Sequence, residues 1–230
     1  MNAGKPASGV RQRRIRGLDA EQRREQRRRQ LLDSALDLFA AHGYHNTSIE
    51  QICQNAYVGT KGFYETFDGR EDCYIALLRH ITEQLQTHML ERLETLPADR
   101  DEAERALVEA FTHALIDDPR RALVTFGSAG AISPAVERQR RRNRRWAAEF
   151  VESLWNRHGV AAPGPGVHRI AIGLVGGLFD LIADWLLDAD PRDPADVEAL
   201  IGDLGAFYTA VRTGVAARTT QPETPRKHRA

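Results

Sequence analysis

Residues 47–67 read TSIEQICQNAYVGTKGFYETF. Thr47 with Glu50 three positions on forms a capping box, and the helix it opens runs through Ala56 with Ile49 and Ile52 facing inward. Val58-Gly59 makes a tight turn, and Thr60 to Phe67 reads as a second short helix. The composition of that helix is poor, yet Phe63 and Phe67 sit four apart, as one buried face requires. Gly62, on the opposite face, costs about 1 kcal/mol against alanine. Two short capped helices joined by a tight turn are helix-turn-helix geometry, in which the second helix enters the major groove and its first residues meet the bases. That geometry accounts for the weak helix. Thr60, Lys61 and Gly62 face outward at its start, the glycine lets the backbone approach DNA, and Tyr64 can place its hydroxyl on a phosphate.

Upstream, Asp19 with Gln22 fits an N-cap, and Leu31, Leu32, Ala35, Leu38 and Phe39 recur at helical spacing until Gly43 ends the helix. Residues 1–18 hold almost no apolar side chains and read as a disordered basic arm. The chain has 32 basic and 32 acidic side chains, but residues 1–30 carry ten Lys and Arg against three acids. This +7 arm on a −7 body points to a polyanion at one end only. Arg11, Arg13, Arg14 and Arg16 are placed to reach a minor groove, or else to raise affinity without specificity.

Downstream, helical patterns cover 70–96, 102–116, 119–126, 134–158, 167–188 and 194–213, and the tail from Ala217 is polar. No strand alternation of any length is present, so the chain is all-α. A three-helix DNA-binding domain at 19–69 precedes a larger helical domain at 70–216 and a disordered tail at 217–230. The apolar run Ile170–Leu187 approaches a membrane span in character, but Asp180 and Asp184 interrupt it, so a buried helix is expected and no membrane contact. No signal peptide is legible, and Cys53 and Cys73 are expected as reduced thiols in the cytoplasm.

The stretch from about Arg29 to Ala76 resembles the N-terminal domain of TetR-type (TetR/AcrR) repressors. Phe39, Gly43-Tyr44, Thr47-Ser48-Ile49, Val58, Phe63-Tyr64, Phe67 and Arg70-Glu71 carry the resemblance. The sequence departs from the family pattern at Tyr57, where glycine is usual, at Gly59, where serine is usual, and at Cys53, where alanine is usual. The resemblance implies that Thr47 and Arg70, at the starts of two helices, meet the phosphate backbone. It also implies that the last two helices of each subunit form a four-helix dimer interface burying Gly173, Gly177, Trp185, Leu200, Leu204 and Phe207. A twofold dimer fits two half-sites on DNA. The aromatics Phe126, Trp146, Phe150 and Phe179, with Phe111, are candidates for a ligand pocket, and His113 for reading a polar group in it. The competing reading of these aromatics is plain core.

The expected function is a cytoplasmic, homodimeric transcriptional repressor that binds double-stranded DNA at a palindromic operator and answers to a small-molecule effector. The alternative is a DNA-binding protein without such a switch, architectural or controlled by a partner protein. An enzyme is not expected: there is no phosphate-binding glycine loop, no nucleophile elbow and no metal-ligand His pair on a helix, so neither cofactor nor metal is expected.

Overall fold

A computed structural model describes residues 11–126, 132–162 and 164–220, with side chains from Ala20 to Arg218. All regular structure among them is helical: α1 Arg11–His42, α2 Ile49–Asn55, α3 Thr60–Tyr64, α4 Arg70–Leu93, α5 Arg100–Ile116, α6 Pro119–Phe126, α7 Pro134–Arg157, α8 Pro165–Asp188 and α9 Pro194–Thr220. The chain divides into two compact units after Leu77, so α4 begins in the first and ends in the second. The outer ends of the first and last helices differ from expectation. The first helix begins at Arg11 rather than at an Asp19 cap, and the last runs to Thr220, through the start of the expected tail. Residues 1–10 and 221–230 lie outside the described residues.

In the first unit, Leu31, Leu32, Ala35 and Phe39 on α1 are buried together with Ile52 of α2 and Phe63 of α3. The Ser34 hydroxyl donates to the Ile52 carbonyl at 2.9 Å and pins α1 to α2. Gly43 takes φ +75° and ends α1 as expected. The N-cap of α2 is Ser48, not Thr47. Ser48 accepts from the Gln51 amide, and the Gln51 side chain accepts in turn from the Ser48 amide at 2.7 Å. Thr47 is 1% exposed, and its hydroxyl donates to the carbonyls of Gly43 at 2.9 Å and Leu38 at 3.2 Å. The hydroxyl expected on a DNA phosphate therefore fastens the loop after α1.

Arg70 is likewise engaged inside the unit. Its guanidinium donates to the Thr47 carbonyl at 2.7 Å and lies 4.5 Å from the centre of the Tyr44 ring. Tyr44, Phe39 and Tyr74 pack edge-to-face or stacked at 5.0–5.8 Å, contacts worth about 0.5–1.5 kcal/mol per pair beyond burial. Cys53 and Cys73 are buried and unpaired to each other. Burial pushes the Cys73 thiol up to about 12 and raises Cys53 as well, so neither is a ready nucleophile.

In the second unit, Trp155 of α7, Leu174 and Ile182 of α8, and Leu200 and Leu204 of α9 form the fully buried centre. Ser133 caps α7, whose arginine-rich first half carries Arg138, Arg141, Arg142 and Arg145 on exposed positions. Arg141 pairs with Glu137 at 2.8 Å. By length and composition α8 could cross a membrane, but Ala171, Leu174, Val175, Leu178 and Ile182 pack it into this core. It is not buried all round as expected: 28% of its most apolar window is buried, and Leu181 and Leu187 on other faces are exposed.

Thr47→Val keeps the shape and removes both hydroxyl bonds of a buried side chain. We expect urea unfolding to show a loss of about 1–3 kcal/mol. An unchanged unfolding midpoint would mean that the loop does not depend on this hydroxyl.

Candidate functional site

The outward surface of the first unit centres on α3. This helix has five residues, shorter than the expected run to Phe67, and its N-cap is Gly59 in extended conformation, with no side-chain cap bond. Phe63 is fully buried and stands 5.5 Å from Phe67, so the inner face is as expected. Thr60 and Lys61 are exposed at the N-terminus, and Tyr64 is 56% exposed.

Gly62 also has a reason inside the unit. A Cβ there would lie 3.0 Å from Val58 Cγ1 and 3.2 Å from Arg27 Cδ, so the missing side chain lets α3 sit close to α1. Arg27 reaches past it to Glu65 at 2.6 Å. Arg23, Gln26, Arg27 and Gln30 of α1 share one concave surface with Tyr57, Val58, Gly59, Lys61 and Gly62. Arg11, Arg13, Arg14 and Arg16 fall on the first turns of α1, and their side chains lie outside the described residues.

The second unit encloses an apolar cavity of about 70 Å³ between the C-terminal half of α4 and helices α5, α7, α8 and α9. Leu85, Met89, Leu107, Val108, Phe111, Trp146, Phe150, Val151, Leu154, Val175 and Leu178 line it. Of the expected ligand residues, Phe111, Trp146 and Phe150 are on the wall. Phe126 and Phe179 are not: their rings pack on each other at 4.6 Å, and Phe179 stacks on Phe111 at 6.1 Å. His113 is off the wall too, with Nδ1 2.9 Å from Asp117 Oδ1 on the surface of α5.

One polar cluster interrupts this wall. The buried Trp155 Nε1–H donates to the Tyr208 hydroxyl at 3.1 Å, and Tyr208 donates to the Glu104 carboxylate. Arg212 Nε lies 2.9 Å from Glu104 Oε2. The N–H is not aimed along that line, so the contact is an ion pair rather than a linear hydrogen bond. Burial raises Glu104 above the ordinary carboxylate range, with Arg212 pulling the other way. Burial likewise raises the Tyr208 phenol. Glu104, Val108 and Tyr208 also line an outer polar groove with Arg105 and Arg212, so they form the partition between groove and cavity. The sequence carries a sign of this cluster: Glu104 falls in phase with Leu107, Val108 and Phe111 on the apolar stripe of α5. Among the described residues no group of His, Cys, Asp and Glu is placed to hold a metal ion.

The residues expected at a subunit interface separate into two sets. Leu200 and Leu204 are 2% and 0% exposed within the single chain, so they belong to its own core. Gly177 packs inward as well, since a Cβ there would meet the Phe207 ring at 2.7 Å. Gly173 faces open space, and Trp185 is partly exposed.

Residues 31–77 match the tetR family of bacterial regulatory proteins. The HTH-type transcriptional activator FasR of Mycolicibacterium smegmatis is 29% identical over 173 residues, 74% of this chain and 77% of that one. Two solved structures share the fold. The fatty acid degradation regulator FadR of Bacillus halodurans superposes with a TM-score of 0.63 at 20% identity, covering 80% of this chain and 97% of that one. FadR of Bacillus subtilis, solved in complex with stearoyl-CoA, gives 0.61 at 19% identity, covering 82% and 97%.

Because its value is raised in the folded protein, Glu104 contributes stability that is fully present below the ordinary carboxylate range and lost as pH rises through the raised value. Glu104→Gln removes that titration. Urea midpoints from about pH 4 to about pH 7 are therefore expected to shift against the wild type relative to the variant. A difference flat in pH would show that Glu104 titrates as an exposed carboxylate.

Proposed function

We propose that this chain, whose residues 31–77 match the tetR family of bacterial regulatory proteins, is a DNA-binding transcriptional regulator of that family and a ligand-responsive repressor. It binds a near-palindromic operator as a homodimer, with one α3 in each half-site. The observation that carries the DNA part is the exposed start of α3, Thr60 and Lys61, on a helix whose opposite face is fixed by buried Phe63. Tyr64 adds a hydroxyl one turn on, and the basic start of α1 adds charge.

We further propose an effector with a long apolar chain and an anionic head, of the acyl-CoA class. FadR of Bacillus subtilis, which shares the fold, was solved with stearoyl-CoA. The cavity here is apolar except at the Glu104–Tyr208 partition, beyond which lie Arg105 and Arg212. An acyl chain fits the apolar wall, and the phosphates fit the arginines. A free fatty acid would bring its carboxylate against Glu104, which disfavours it. At about 70 Å³ the cavity does not hold such a chain as it stands, since ligand pockets run to about 300–1,000 Å³. Entry must therefore displace wall residues, and Leu85 and Met89 of α4 are among them. The same helix begins with Arg70, which holds the loop before α2. Ligand entry and the DNA-binding unit are thus tied through one helix. Reversing a 99:1 preference for the DNA-binding state needs about 5.5 kcal/mol of differential affinity.

The name of the Mycolicibacterium smegmatis relative, an activator, supports a second reading in which the sign of control is positive. A promoter fusion in a strain lacking the chain separates the two: expression rises on deletion for a repressor and falls for an activator.

The first test is selection of bound duplexes from a random library at two salt concentrations. A near-palindromic consensus is expected, and stearoyl-CoA but not CoA alone is expected to release it. Binding without a consensus that vanishes as salt rises would favour an architectural protein instead. Lys61→Ala is expected to weaken binding of the selected duplex on the order of tenfold. If Lys61 meets a phosphate, the salt slope also falls by about 0.9. Anisotropy titrations at several salt concentrations check both. Unchanged affinity would remove Lys61 from the interface.

A further inference from the structure

The backbone at Tyr57 asks for glycine. Tyr57 has φ +53° and is the one non-glycine residue at positive φ among those described. The conformation is dictated by how α2 ends. The Val58 amide donates to the Cys53 carbonyl at 3.0 Å and the Tyr57 amide to the Gln54 carbonyl at 3.2 Å, the paired bonds of a Schellman motif with Tyr57 at the left-handed position. A side chain with a Cβ is strained there, and glycine is not.

Nothing within the unit offsets that strain, for the Tyr57 side chain is 98% exposed. A large aromatic is thus held fully in solvent, at a conformational cost, two residues before the N-cap of α3. The surface it joins is cationic. Tyr57 lines the same concavity as Lys61 and the α1 residues Arg23 and Arg27. The carboxylate at its edge, Glu65, is paired with Arg27.

We propose that Tyr57 is a DNA-backbone contact, its hydroxyl donating to a phosphate oxygen beside the groove that α3 enters. This rests on the DNA-binding reading above and adds a residue to it. The strain at a left-handed tyrosine is accounted for by an interaction made outside the chain. A phosphate is the partner that a neutral donor among cations selects, since the cations gather the anion and the hydroxyl supplies an oriented bond.

The test uses the full-length chain, the highest-affinity duplex from the selection and a duplex lacking the consensus. Tyr57→Phe is expected to weaken both complexes by a similar factor, about 5–20-fold, because a phosphate contact carries no sequence information. The salt slope and the melting temperature stay unchanged. Tyr57→Gly is expected to lose the same affinity but to melt about 2–4 °C higher, because the strain is released. Affinities of both variants within twofold of wild type would overturn the assignment. A lower melting temperature in Tyr57→Gly would overturn it too, by showing that the ring supports the fold. Loss in Tyr57→Gly but not in Tyr57→Phe would mean a ring contact and remove the hydroxyl bond. A wild-type chain that binds no duplex would sink the DNA-binding reading itself, and this proposal with it.

Discussion

A helix of five residues does not hold itself together in water, so α3 stands only because its inner face is clamped. Phe63 is the clamp: its ring is fully buried, and burial of a phenylalanine side chain contributes about 1.5–3 kcal/mol. The Arg27–Glu65 pair beside it is solvent-exposed and contributes about 1 kcal/mol at most. The ring therefore decides where the helix lies, and Gly62 decides how close it comes to α1. Any side chain at Gly62 would press on Val58 and on the stem of Arg27. Those neighbours would have to give by a few tenths of an ångström, and Thr60 and Lys61 lie directly before this contact. The outward residues are positioned by inward contacts one residue further along.

The second unit uses the opposite device, a polar group held where apolar ones would pack better. Glu104 stands on the core stripe of α5, and burial penalises its charge. Arg212 and the Tyr208 hydroxyl offset that penalty, and Tyr208 is in turn oriented by Trp155. Removing one member leaves the others buried and unsatisfied, which costs more than the cluster contributes when whole. Such a cluster is a weak source of stability. It does fix one polar point in an otherwise featureless apolar wall.

Much of this was legible in the sequence where one residue type has one physical use. Phe63 and Phe67 four apart gave the inner face of α3, and Gly43 gave a left-handed helix end. The misreadings arose where two neighbours satisfy the same local rule. Thr47 with Glu50 and Ser48 with Gln51 are both valid capping boxes, and only the burial of Thr47 selects Ser48. Arg70 also takes the Thr47 carbonyl and the Tyr44 ring inside the unit, partners that its place at the start of α4 does not announce. Phe126, Phe150 and Phe179 look alike in sequence. Which rings enclose a cavity and which enclose each other depends on helix rotation, which a 3.6-residue period does not fix to better than about one residue.

Rotation also divides the work of α8. Its glycines suggest a single small-residue seam for a partner helix, but they point in different directions. Gly177 admits the Phe207 ring of its own chain, while Gly173 and Gly176 border open space. The intrachain face is thus complete with Leu200, Leu204 and Phe207 in place. Leu181 is 37% exposed and Leu187 77%, both outside that face. An apolar helix packed on one side gains by covering the other. Gly173 and Gly176 add no side chains to that uncovered side. Of the six residues that the resemblance placed in a subunit interface, Leu200, Leu204, Gly177 and Phe207 are thus used inside the chain, while Gly173 is left uncovered and Trp185 only partly covered by its own core.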